Sequence, residues 1–268
     1  MPELPEVETT VRGLAHVLDG RRLTHIEVRR PDLRRAFQVD LGQRLTGARV
    51  TGLSRRAKYG LIATNRGDTL IFHLGMSGRW RIDPETQDKH DHLLLATDEG
   101  RRLALNDPRR FGSVDLMPTA DLPGFAAFKA MGPEPFDLTA QELQRRLAGR
   151  SAAIKLLLLD QRIVAGLGNI YVCEALYRAG IHPRRAGGRI GLDRLGRLVE
   201  AIAAVLVEAI AAGGSSLRDF AHPDGALGYF SKSFDVYDRE GAACGCGGTV
   251  RRFAQGGRST WYCPACQR

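Results

Sequence analysis

Residues 2 and 3 of this chain are a proline and a glutamate, within the start MPELPEVET. Loss of Met1, expected ahead of a residue as small as Pro2, leaves a secondary amine with a pKa of about 8. Roughly a tenth of that amine or more is then neutral at cellular pH. A neutral amine beside a carboxylate holds the parts of covalent catalysis. The amine adds to an electrophilic sugar or carbonyl carbon and closes a Schiff base, while the acid moves protons. Many chains begin Met-Pro with no such role, so the pair needs support from the rest of the sequence.

A second chemical pattern lies at the other end. Four of the five cysteines pair as Cys244-x-Cys246 and Cys263-x-x-Cys266, with sixteen residues between the pairs. Two close pairs at hairpin spacing form a structural zinc site, one ion closed off by four thiolates. The first pair is one residue shorter than the usual spacer, so its knuckle geometry must differ. Arg251, Arg252 and Arg258 lie between the pairs with Trp261 and Tyr262. Basic side chains on a metal-pinned hairpin suit phosphate contacts, although a solvated charged hairpin has the same composition.

Other positions carry weaker signals. GLGNIYVCEAL, residues 166–176, sets a Gly-rich turn and Asn169 before a helix, an arrangement that binds phosphate and also one that merely caps. Lys58 in RRAKYG and the Arg109-Arg110 pair in NDPRRFG fall at turns or strand ends. Phe111 beside those arginines is either core or a wedge between bases. His73, His90 and His92 lack metal-site spacing and read as polar or phosphate-contacting groups. Cys173, inside a helix, reads as a packed core thiol.

The elements that must position these residues can be read from periodicity. After Pro5, Val7, Val11, Leu14 and Leu18 recur at helical spacing and Gly20 follows as a stop, which sets Pro2 and Glu3 at the head of a buried helix. From Leu23 to about Met117 the runs LTHIEVRR, ARVTGLSRR, YGLIATN, TLIFHLGM, HLLLATDEG and RLALND predict short strands of an antiparallel sandwich or barrel. Met131 to Asp137 has the composition of a linker. Helices are predicted after Thr139, with Glu142 completing a capping box, and over about 151–160, 170–179 and 193–212. Ser215 or Ser216 caps a short helix through Phe220, and residues 221–233 read as a long loop.

The chain has 268 residues and a formal net charge of +9, a balance that favours a polyanionic partner. Neither a membrane span nor a signal peptide is apparent, which predicts a cytoplasmic protein whose cysteines are not disulfides.

With these residues in view, the chain resembles the bacterial formamidopyrimidine-DNA glycosylases. The match runs through MPELPEVET, RRAKYG, HLGMSG, KHDH, DPRRFG, GLGNIYVCEALYRAGIHP, GGSSLRDF, DGALGYF and GGRSTWYCPACQ in order. The resemblance implies an α+β protein: an N-terminal antiparallel β-sandwich with a flanking helix (1–131), a helical helix-two-turns-helix domain (132–233) and a zinc-finger β hairpin (234–268). It implies removal of oxidised purines from duplex DNA, followed by β,δ-elimination at the abasic site, by a monomer associated with the nucleoid.

Carried over by position, the resemblance makes Pro2 the nucleophile at C1′ and Glu3 the acid/base. Lys58 and Arg258 join the catalytic set. His90, Arg109, Lys155, Asn169 and Arg258 contact DNA, and Met76, Arg109 and Phe111 fill the space left by the flipped nucleotide. Cys244, Cys246, Cys263 and Cys266 hold the zinc, and a loop over about 217–237 closes on the purine. Two other readings compete. Leu4, where the endonuclease VIII branch commonly has glycine, and DGALGYF argue against a pyrimidine-specific relative. Pro2, Glu3 and Lys58 together argue against a catalytically silent zinc DNA binder, and a redox role for the cysteines accounts for nothing else in the chain.

Overall fold

The structure, a computed structural model, describes residues 2–216 and 221–268. The helix predicted through Phe220 and part of the 217–237 loop lie outside the described residues. The chain divides into two compact units, Met1–Lys129 with Ala212–Ser231, and Ala130–Ala211 with Lys232–Arg268.

The first unit is built on two four-stranded antiparallel sheets. Helix α1 (Leu4–Leu18) precedes β1 (Leu23–Val28), the short α2 (Leu41–Leu45), β2 (Val50–Arg56), β3 (Tyr59–Thr64), β4 (Asp68–His73), β5 (Arg79–Ile82), β6 (Asp91–Thr97), β7 (Arg102–Asn106), β8 (Ser113–Pro118) and α3 (Ala126–Lys129). The sheets have strand orders β1-β6-β7-β5 and β2-β3-β4-β8. Alternating apolar residues from both, with the apolar stripe of α1, bury one core in which Phe72 of β4 meets Trp80 of β5 edge-on, ring centroids 5.6 Å apart. The predicted sandwich and its leading helix stand. The sequence reading did not find β5 and β8: β5 is four residues long with two arginines, too short for alternation to show.

The second unit holds α4 (Ala140–Leu147), α5 (Ile154–Leu159), α6 (Asn169–Arg178), α7 (Leu192–Ala211) and the hairpin of β9 (Arg251–Gln255) and β10 (Arg258–Tyr262). Thr139 caps α4, its hydroxyl accepting from the Glu142 N–H at 3.2 Å. Residues 131–137 are docked and are not a free linker. The Gly132 N–H donates to Gln161 O, the Ala165 N–H donates to Pro133 O, and Gly132 is buried. The composition of turn formers is real, but it serves a packed crossing. No described helix is long and apolar enough to cross a membrane.

Two polar groups in the first unit, one buried and one half-buried, carry measurable consequences. Asp91 is 1% exposed and accepts from Arg81 Nη1 (2.9 Å), Asn106 Nδ2 (2.9 Å) and the Asp88 N–H (2.8 Å), joining β5, β6 and β7 beside His90. Removing it leaves a cation and an amide without their acceptor in a mostly buried site. Asp91→Ala should lower unfolding free energy by about 3 kcal/mol, read as a shift in the urea midpoint.

His73, at the end of β4, accepts the Gly75 N–H at Nδ1 (3.0 Å). Burial, then the nearby charge of Lys58, brings its pKa down to about 4. The fold therefore holds the neutral ring. Its stability contribution is complete above the unfolded pKa of about 6.5 and is lost as pH falls from there towards 4. Between pH 7 and pH 4.5 the wild type should lose about 2 kcal/mol more than His73→Gln, by denaturant titration at both pH values. Equal losses would contradict this assignment.

Candidate active site and nucleic-acid interface

Pro2 and Glu3 are both buried at the head of α1. Glu3 is the N-cap, and its N–H donates to Glu6 Oε2 at 2.8 Å. The other oxygen of the same carboxylate, Glu6 Oε1, accepts the Ser215 N–H at 2.8 Å. Glu6 is 2% exposed, so these two bonds form away from water. Glu6 thereby ties the start of the chain to a segment more than two hundred residues later.

Lys58 lies in the β2–β3 turn, after Ala57 at φ +52°, and is 6% exposed. The helix that carries Pro2 and Glu3 packs on β2 and β3, and Glu8 of α1 accepts from Arg55 Nε at 3.0 Å to fix that packing. The same Arg55 donates through Nη1 to Ala57 O at 2.9 Å, beside Lys58. Pro2, Glu3 and Lys58 thus lie on two elements joined by the Glu8–Arg55 ion pair.

Met76, Arg109 and Phe111 stand on two neighbouring loops and are exposed, Met76 at 37% and Phe111 at 45%. The core does not claim Phe111. The Arg109 guanidinium sits 4.9 Å from the Phe111 ring centroid. Asp107 braces both loops: Oδ1 accepts from Ser77 Oγ (2.6 Å), Oδ2 from the Gly112 N–H (2.8 Å), and Ser77 Oγ accepts the Arg109 N–H (3.1 Å). Gly75, at φ +62°, lets the backbones touch, since a Cβ there would lie 2.3 Å from the Phe111 carbonyl carbon. His90 is half-buried, and its carbonyl accepts the Asp107 N–H at 3.0 Å, so it belongs to the same cluster. His92 is buried, with Nε2 at 3.0 Å from Asp107 O.

In the second unit, Asn169 is the first residue of α6 and donates from Nδ2 to Ser259 O of the hairpin at 3.0 Å. Its Oδ1 is buried without a hydrogen-bond partner. Gln161 shapes the turn before it, accepting the Gly166 N–H and donating to Leu167 O. Lys155, expected at the DNA, is fully buried, and its ammonium donates to Ser259 O (2.9 Å) and Thr260 Oγ1 (2.7 Å). It braces the hairpin from beneath. Arg258 is exposed at the hairpin tip.

The four cysteine sulfurs all lie within 4.8 Å of one another. Cys244 Sγ is 3.4 Å from Cys246 Sγ and 3.6 Å from Cys266 Sγ, and Cys246 Sγ is 3.7 Å from Cys263 Sγ. A tetrahedron with Zn–S of about 2.3 Å has edges of about 3.8 Å, so the set fits one structural zinc despite the short first pair. The Cys246 backbone N–H and the Tyr177 hydroxyl bring the Cys244 thiol down to about 6.

Several residues that hold these groups escaped the sequence reading: Glu6, Ser77 and Asp107 in the first unit and Glu174 in the second. Glu174, fully buried in α6, accepts the backbone N–H groups of Asp235, Val236 and Tyr237 at 2.8, 3.0 and 2.8 Å. Burial pushes its carboxyl up, against the pull of those three donors. Glu6 and Glu174 share a signal that was available, a carboxylate on the apolar stripe of an amphipathic helix.

The chain matches three families in succession: the formamidopyrimidine-DNA glycosylase N-terminal domain over residues 1–114, the formamidopyrimidine-DNA glycosylase H2TH domain over 131–221, and a zinc finger found in FPG and IleRS over 246–268. It is 66% identical to the formamidopyrimidine-DNA glycosylase of Novosphingobium aromaticivorans and 65% identical to that of Rhizorhabdus wittichii, with 100% of each chain covered. Among solved structures it is similar to Lactococcus lactis Fpg in complex with an abasic site containing DNA, with a TM-score of 0.92 and 34% identity over 100% of both chains. It is also similar to the wild-type Lactococcus lactis Fpg in complex with a N7-benzyl-Fapy-dG containing DNA, with a TM-score of 0.91 and 35% identity over 100% of both chains. On this full-length similarity, and on the site it surrounds, the chain belongs to the formamidopyrimidine-DNA glycosylase family.

Proposed function

We propose that this protein excises oxidised purines, 8-oxoguanine and ring-opened formamidopyrimidines, from duplex DNA and then cleaves the strand at the abasic site. It acts as a monomer in the bacterial cytoplasm, on nucleoid DNA. The observation that carries the proposal is the buried Pro2–Glu3 pair held at the head of α1. Once Met1 is removed, the neutral Pro2 amine attacks C1′ of the damaged nucleotide. The C1′–N bond to Pro2 forms, the glycosidic bond breaks, and the base leaves with the bonding pair and takes up a proton. Glu3 protonates the sugar ring oxygen as the ring opens and the iminium forms.

The iminium acidifies the C2′ proton. Its removal breaks the C3′–O bond, and a second elimination breaks the C5′–O bond, which leaves phosphates on both ends flanking the gap. One amine thus serves both reactions. Lys58 holds a phosphate next to the lesion. In the second unit, Asn169 at the start of α6 and Arg258 at the hairpin tip grip backbone phosphates, with Lys155 contributing through the hairpin it supports. Zinc supplies no reaction step and fixes the fold of that hairpin.

Flipping the nucleotide costs a few kcal/mol of stacking and pairing. Met76 and Phe111, exposed apolar groups on the loops braced by Asp107, replace the lost stacking, and Arg109 and His90 supply polar contacts to the duplex. DGALGYF belongs to the loop that covers the extruded purine, and the endonuclease VIII alternative predicts cleavage of oxidised pyrimidines instead.

On a duplex with 8-oxoguanine opposite cytosine, Glu3→Gln should lower strand cleavage about 100-fold or more while binding of an abasic-analogue duplex stays within a few-fold. Preferred cleavage of an oxidised-pyrimidine duplex by the wild type would overturn the substrate assignment. Zinc removal should act on a different step. Chelated, still-folded protein should bind damaged duplex at least about tenfold more weakly, because Arg258 loses its support, and undiminished binding would contradict the role given to the hairpin.

A further inference from the structure

The second unit contains a polar contact that the proposed chemistry does not use. Tyr177, in the last turn of α6, places its hydroxyl 3.2 Å from Cys244 Sγ. Its ring packs on a small core of Cys173, Val236, Val250 and Trp261, so the hydroxyl is delivered on a fixed support. We propose that Tyr177 is part of the zinc centre, an outer hydrogen-bond donor to the Cys244 thiolate that lets the shortened first cysteine pair hold and retain the metal.

Four thiolates on one dication leave a net charge of minus two on the sulfurs. Hydrogen bonds to those sulfurs withdraw charge, lower their reactivity and hold them in the orientation the metal needs. Knuckle amides usually supply such bonds, and this knuckle has lost a residue: Gly245 alone separates Cys244 from Cys246. The Cys246 N–H is the one knuckle amide that serves the Cys244 sulfur, and the amides that follow serve other acceptors. The Gly247 N–H donates to Cys244 O at 2.9 Å, and the Gly248 N–H lies 3.4 Å from Cys246 Sγ. Gly248 brings the backbone close to the sulfurs, since a Cβ there would lie 3.0 Å from Cys263 Sγ. The phenol of α6 therefore adds, from outside the knuckle, a donor to the sulfur at its start.

The second pair is tied to the same end of α6 in a different way. The Cys263 N–H donates to Gln267 Oε1 at 2.8 Å, and Gln267 Nε2 donates to Ile181 O, just beyond the helix, at 2.9 Å. That clamp holds backbone and leaves the sulfurs alone. Tyr177 is the side chain of α6 that reaches a sulfur itself, so its loss should change the metal chemistry while the docking persists.

The test uses the full-length, zinc-loaded protein and Tyr177→Phe, which keeps the ring and deletes one oxygen. Competition with 4-(2-pyridylazo)resorcinol should show zinc held about tenfold more weakly. N-ethylmaleimide should release zinc several-fold faster, with Cys244 carrying the first adduct by peptide mass spectrometry. Tyr262→Phe, which removes a hydroxyl from the same hairpin, should leave both readings unchanged. A third reading is independent of folding stability: in the cobalt-substituted protein, the thiolate-to-metal charge-transfer band should move to lower energy in Tyr177→Phe, because the uncapped sulfur is easier to ionise. Affinity and release within about twofold of wild type, with an unmoved band, would overturn the proposal. None of these readings depends on which base the enzyme removes.

Discussion

The carboxylate of Glu6 accepts two backbone N–H groups, those of Glu3 and Ser215, at 2.8 Å each and out of reach of water. The placement of Pro2 and Glu3 at the head of α1 follows from this pair of hydrogen bonds. A chain end ordinarily frays, because few contacts oppose its conformational entropy. Here the terminal segment is fixed by a reciprocal capping box, in which the Glu3 side chain accepts the Glu6 N–H while Glu6 accepts the Glu3 N–H. The remainder of α1 converts that local hold into a global one, through an apolar stripe in the sandwich core and the Glu8–Arg55 ion pair to the strand before Lys58.

The second unit applies the same logic to a hairpin too small to fold by itself. Helix α6 meets that region along its whole length: Asn169 on Ser259, Glu174 on three amides of residues 235–237, and Tyr177 on Cys244. Lys155 adds a buried ammonium under Ser259 and Thr260. A buried charge survives only when its partners are good, so each of these groups is committed to holding the hairpin. Exposed Arg258 at the tip is consequently carried on a stiff support, which suits the phosphate contact proposed for it.

What the sequence revealed and what it hid divide along the range of the interactions. The stripe of α1, the alternation of six strands, the Thr139 cap and the cysteine pairs are local patterns, and local patterns survive in one dimension. The motif order then pointed to the family, and with it to the roles proposed for Met76, Arg109 and Phe111, the last of which spacing alone left between core and wedge. Contacts such as Glu6 with Ser215, Ser77 with Asp107 and Tyr177 with Cys244 join residues from about thirty to more than two hundred positions apart, and no periodicity announces them. Residues 131–137 follow the boundary between the two units, as their turn formers suggested, but Gly and Pro mark irregular backbone without saying that it is packed. Lys155 shows the same gap: the resemblance set it at the DNA, and only the fold shows that it is turned inward.

The central claim is that the Pro2 amine forms the covalent bond to the sugar, and one measurement addresses it directly. Borohydride reduction during reaction with a duplex carrying 8-oxoguanine opposite cytosine should trap a protein–DNA adduct. Mass spectrometry of the proteolysed adduct should place the link on the N-terminal peptide, at Pro2. An adduct on a lysine, or no adduct with zinc-loaded protein that binds the duplex, would contradict the account.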